Sequence, residues 1–159
     1  QPIRGHVLTE TDDAYIITNK PYLTWQIPKD LDGLISSMNF PPSEHIRVGG
    51  KGIYLTNTES KKIHVRGDEV SSEIIRRGPL AVHLRFKKTL NESAAVTVDL
   101  HFPVSRSWVE VQVRLVDPLN KYKSIANELL LEVQELATFE LQQVAFRVVI
   151  VRCSMELRQ

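Results

Sequence analysis

Apolar and polar residues alternate along much of this chain. Between 80 and 86, Leu80, Val82, Leu84 and Phe86 are apolar, with His83 and Arg85 between them. Val96, Val98, Leu100 and Phe102 repeat the scheme against Thr97, Asp99 and His101. Val109, Val111, Val113 and Leu115 repeat it again against Glu110, Gln112 and Arg114. Successive side chains of a strand point to opposite faces, so each segment offers one face to a core and one to water. The three segments are separated by Asn91-Glu92-Ser93 and by residues 103–107, and Asp117-Pro118-Leu119-Asn120 closes the last. This predicts an antiparallel meander with one solvated face.

The first half follows a weaker version of the same pattern. Short strands are expected at 14–18 and 22–27 around Asn19-Lys20-Pro21, then at 34–40, 53–56, 63–66 and 70–76. Turns are expected at 29–33, at Gly49-Gly50-Lys51-Gly52 and at 57–61, with a loop at 41–44. The tail carries two periodicities. Ile125, Leu129, Leu130, Val133 and Leu136 fit a helix, while Leu129, Leu131 and Val133 also fit a strand. Residues 139–141 and 146–155 are rich in β-formers, so strands are expected there, allowing one helical turn near 124–128. Many short strands with a turn about every ten residues predict an all-β chain, an antiparallel β-sandwich with at most one short helix. No linker or repeat divides the chain, so residues 1–159 are expected to form one domain.

Composition narrows the function classes. Twenty basic residues against nineteen acidic ones give a net charge of +1, so bulk electrostatics favour neither nucleic acid nor an anionic membrane. No stretch is long and apolar enough to span a bilayer as a helix. Residues 1–9 lack the apolar core of a secretory signal. The first residue is Gln1, so a processed chain or a piece of a longer protein is expected. The single cysteine, Cys153, lies in an apolar run and reads as a small buried hydrophobe. One thiol suits a reducing compartment without requiring it, which favours a cytoplasmic location. No cofactor is expected.

The candidate chemistry lies on the polar side of the meander. A hairpin turn at 91–93 places residues whose numbers sum to about 184 opposite one another. His83 then faces His101, and Arg85 faces Asp99, within reach of cross-strand interaction. Glu110, Gln112 and Arg114 share that face through the next hairpin. The assembled surface would carry His83, Arg85, Asp99, His101, Glu110 and Arg114, with Trp108 near a strand start as an aromatic platform. Carboxylates, imidazoles and guanidinium groups can grip sugar hydroxyls and uronate groups, and aromatic faces stack on sugar rings. A solvated face of mixed charges reads the same way, and the residues alone leave both readings open.

Other motifs yield less. Around Gly49, Gly50 and Gly52 no Gly-Lys-Ser or Gly-Lys-Thr follows at the spacing of a phosphate loop, and a strand is expected where that loop needs a helix N-terminus. His6, His45, His64, His83 and His101 have no zinc-motif spacing. Ser105 and Ser107 have no nucleophile-elbow context. Trp25 sits in an apolar strand and suits a core.

Three segments carry a family resemblance: Arg77-Gly78-Pro79-Leu80 entering an alternating strand, the run from Phe102 through Pro103-Val104-Ser105-Arg106-Ser107-Trp108 to Val111, and Val116-Asp117-Pro118. Together they resemble the β-rich domains of bacterial exo-rhamnogalacturonan lyase-like proteins. Thr24-Trp25-Gln26-Ile27-Pro28, followed by Gly33-Leu34-Ile35-Ser36-Ser37, is loosely similar as well. The resemblance covers residues 12–120 and contains no catalytic signature. It implies an accessory or substrate-facing β domain of a polysaccharide-processing protein, with oligosaccharide or polysaccharide as partner. The alternatives are a small sugar-active lyase or isomerase using His83 or His101 as acid/base, and a structural or interaction domain forming a homo-oligomer or joined to further domains.

Overall fold

The computed structural model describes residues 5–19, 23–40, 44–90, 94–104, 108–133 and 150–158, the side chains of 19, 23, 40, 44–51, 108, 124–133 and 150–158 excepted. The fold is all-β, a sandwich of two sheets. One sheet contains β1 (Val7–Glu10), β2 (Ala14–Asn19), β3 (Leu23–Pro28), β4 (Ser37–Phe40), β5 (Glu44–Asn57) and β11 (Tyr122–Val133) in that order, with β6 (Lys62–His64) also on β5. The other runs β12 (Ile150–Arg158), β10 (Trp108–Val116), β9 (Ala95–Pro103), β8 (Ala81–Thr89) and β7 (Ser71–Arg77). Neighbouring strands are antiparallel, except that β12 runs parallel to β10.

The alternating residues build the core between the sheets. Val82, Leu84 and Phe86, then Val96, Val98, Leu100 and Phe102, then Val109, Val111, Val113 and Leu115 are all buried. They pack in one cluster with Ile17, Trp25, Ile27, Met38, Ile53 and Leu55 of the opposing sheet. Two aromatic pairs cross the interface edge to face: Trp25 with Phe102 at 5.5 Å and Tyr15 with Phe86 at 6.2 Å. The Tyr15 hydroxyl also bonds the Ser72 hydroxyl at 2.8 Å, so its polar tip is satisfied.

Three expectations are corrected. Residues 34–36 precede β4 as a loop, in which Leu31 and Leu34 adopt positive φ of 58° and 69°. Leu31, Leu34 and Ile35 are buried, so core burial holds Leu31 and Leu34 in a backbone that L-residues otherwise avoid. The glycines at 49–52 lie inside β5 rather than in a hairpin turn. The β5–β11 register shifts there, between Glu128 and Leu130, and Gly52 has φ of 72°. A Cβ on Gly52 would lie 3.2 Å from the Leu34 nitrogen, so the irregularity needs a glycine. Residues 124–128 form part of β11, so the allowed helical turn is absent. The strand expected at 146–155 is present from Ile150 onward as β12, while residues 146–149 and the strand expected at 139–141 lie outside the described residues.

The turn after β10 follows the expected chemistry. Asp117 is fully buried, and its two carboxyl oxygens accept the Lys121 and Tyr122 amides at 3.0 and 2.9 Å. Asn120 takes positive φ, as asparagine tolerates. Replacing Asp117 with alanine is expected to cost about 2 kcal/mol by orphaning both amides. Urea unfolding checks this, and a loss within error would show that water replaces the carboxyl group.

Candidate functional site

The five-stranded sheet presents the polar face. The β8–β9 register pairs His83 with His101 and Arg85 with Asp99. The β9–β10 register pairs His101 with Glu110 and Asp99 with Gln112. From β7, Glu73 aligns with Arg85 and Arg76 with His83. Two rows therefore cross the sheet: Glu73, Arg85, Asp99 and Gln112 in one, and Arg76, His83, His101 and Glu110 in the other. Strand spacing separates neighbours within a row by about 4.8 Å.

Asp99 is the centre of this arrangement. One of its oxygens, Oδ1, accepts from Arg85 Nε at 2.8 Å and lies 2.7 Å from His83 Nε2. Burial works against the charge on Asp99, but the hydrogen bonds and charges of Arg85 and His83 outweigh it and hold the carboxyl below its ordinary pKa. An ionised carboxylate only accepts, so His83 Nε2 carries the hydrogen and donates it. The same contact fortifies the Arg85 cation, first through the Asp99 hydrogen bond and then through its charge.

His101 lies against His83 with ring centroids 4.0 Å apart and planes 30° apart. The Gln112 amide donates to Glu110 at 2.8 Å. The Arg85 side chain is 33% exposed while Asp99 is 9% exposed, so the carboxylate is a buried anchor and the guanidinium reaches the surface. Bonding Asp99 through Nε engages one of the five N–H donors of that guanidinium.

The structure thus brings together His83, Arg85, Asp99, His101 and Glu110. Arg114 stands farther along β10, in register with Thr97. Trp108 begins β10, and its side chain lies outside the described residues. Sequence reasoning missed the β7 contribution because Arg76 reaches its row through a register shift between Ile74 and Arg76. Without that shift Ile75 would stand beside His83. It also missed the parallel pairing of β12 with β10, which sets Arg152 beside Glu110 and Ser154 beside Gln112. Cys153 takes the position beside Val111.

A separate open cleft of about 470 Å³ lies at the far end of β2 and β3. Asp12, Asp13, Asp30, Asp32 and Asp68 line it, and none of the residues above does. Its carboxylates are exposed, and two have local partners: Asp30 accepts the Asp32 amide, and Asp32 pairs with Arg66 at 3.0 Å. Among the described residues, no group of three or more His, Cys, Asp or Glu is placed to hold a metal ion. No family model, curated protein or solved structure matches the chain.

Proposed function

We propose that this chain is a non-catalytic carbohydrate-associated domain, an accessory or substrate-facing part of a polysaccharide-processing protein. The outer face of the five-stranded sheet is its ligand surface. The observation that carries the proposal is the Asp99 cluster, in which His83 and Arg85 share one carboxylate oxygen and His101 stacks on His83.

A sandwich needs no such network on its solvated side, because burying a carboxylate has a cost that only well-placed partners offset. The partners stand on central strands, which fix their geometry better than loops do. Acceptor and donor alternate along the first row from Glu73 through Arg85 to Asp99. That alternation suits hydroxyl groups, each of which donates and accepts. A polyanion would favour one sign of charge. The resemblance to exo-rhamnogalacturonan lyase-like β domains points the same way. A second reading, a small sugar-active enzyme, draws on the His83–Asp99 hydrogen bond, which fixes the imidazole tautomer as acid/base chemistry requires.

Titration of the isotopically labelled protein with a panel of neutral and uronate-containing oligosaccharides tests both readings. Specific shifts at His83, Arg85, His101 and Glu110 are expected, with affinity reduced roughly tenfold in Arg85→Ala. Unchanged sugars after prolonged incubation support the binding domain. Turnover that disappears in His83→Ala would move the assignment to an enzyme. A folded protein whose spectrum ignores every sugar would sink both.

A further inference from the structure

We infer that residues 5–10 form an acid-released clasp across one edge of the sandwich, with the buried ring of His6 as its trigger. The segment joins both sheets. Its strand, β1, pairs with β2 through only four residues, Val7 to Glu10. On its other side the His6 amide donates to the Pro79 carbonyl at 2.8 Å. Arg77 Nη1, from β7, donates to the Leu8 carbonyl at 2.7 Å. Gly5 packs so closely that a Cβ there would lie 2.6 Å from the Pro79 carbonyl oxygen.

His6 sits inside this junction with 7% of its surface exposed, and neither ring nitrogen has a hydrogen-bond partner. The β7–β8 turn supplies Pro79, and the end of β9 supplies Phe102 and Pro103. The two turns are tied to each other by the Val104 amide on the Leu80 carbonyl at 2.9 Å. None of these residues titrates. The Arg77 cation is engaged at Leu8, and Glu10, at the far end of β1, pairs with Lys29 at 2.7 Å. Among the described residues, then, no carboxylate stands ready to receive an imidazolium at this junction.

Burial lowers the pKa of His6. The Pro103 and Phe102 carbonyls oppose that shift from the end of β9, but neither completes a hydrogen bond of good geometry to the ring. The neutral ring therefore favours the closed clasp. Its contribution is complete above the ordinary histidine value of about 6.5 and is lost as pH falls from there through the folded-state value. Because β1 is an edge strand with a short ladder, it opens at lower cost than the core strands. Opening uncovers Leu8 and the edge of β2.

Hydrogen exchange on the full chain at pH 7.5 and pH 5, corrected for intrinsic rates, tests this. Protection of the β1 amides is expected to fall several-fold at pH 5 relative to β8 and β9, and to stay constant in His6→Leu. NMR titration of the His6 ring in the unaltered protein gives a second readout that needs no variant. Its midpoint is expected below the ordinary histidine value. A midpoint at or above that value would overturn the inference. So would equal loss of protection in all strands, or an acid response that persists in His6→Leu.

Discussion

Asp99→Ala is expected to destabilise the fold by about 3 kcal/mol at pH 7 and to abolish oligosaccharide binding at the polar face. The stability loss follows from two charge-assisted hydrogen bonds, each contributing about 1.5–3 kcal/mol where its groups are buried. Arg85 recovers part of its loss by hydrating, since a third of its side chain already meets water. His83, 14% exposed, recovers less. Binding fails for a different reason: Asp99 fixes the His83 tautomer and the Arg85 rotamer, and without it the ligand must order both. Asp99→Asn separates the two effects. Its amide oxygen still accepts from both partners, so it is expected to retain more stability while losing the charge that orients them.

The pH dependence gives this prediction a sign. The folded-state pKa of Asp99 lies below its ordinary value. The ionised group therefore favours the fold. Its contribution is complete above the unfolded value of about 3.9 and vanishes as pH falls through the folded value. The difference in urea-unfolding free energy between the original protein and Asp99→Ala should thus be largest near neutrality and shrink toward pH 3. A difference that is the same at both pH values would mean that packing, not the charge network, accounts for the loss. Retained sugar affinity in the alanine variant would remove Asp99 from the ligand surface.

That cluster was legible in the sequence because it depends on two local facts, strict alternation and a short turn. With a turn expected at Asn91-Glu92-Ser93, the pairs His83–His101 and Arg85–Asp99 follow by counting, and the register has those pairs. The parts that sequence reading missed depend on contacts between distant segments. Nothing in residues 71–77 announces that Ile75 is skipped and Arg76 brought beside His83, since a bulge is a property of two strands together. The glycines at 49–52 carry ordinary turn chemistry, and only the approach of Gly33 and Leu34 explains why β5 keeps Gly52 within a strand. Leu34 and Ile35 read as strand residues because they are apolar. Their burial comes instead from a loop folded into the core. The parallel pairing of β12 with β10 joins segments more than thirty residues apart and leaves no local trace.

Phe102→Ala should lower stability by about 3–5 kcal/mol, the usual cost of deleting a buried aromatic ring. Phe102 is 1% exposed and meets Trp25, on the opposite sheet, with ring planes 63° apart. The pair thus links the two layers of the sandwich. A double-mutant cycle with Trp25→Ala is expected to return a coupling of about 1 kcal/mol beyond the area each ring buries. Urea unfolding with an unchanged m value would assign the loss to the folded state. A cost below about 1 kcal/mol would mean that the interface collapses around the missing ring. Phe102→Leu adds a test of the proposed function. Phe102 is the sequence neighbour of His101, yet strand alternation puts the two on opposite faces of β9. If ligand binding belongs to the outer face, Phe102→Leu should reduce stability while changing oligosaccharide affinity by less than about twofold. A large loss of affinity in a folded Phe102→Leu protein would mean instead that sugar is recognised through the packing between the sheets, and that the Asp99 cluster is a structural brace.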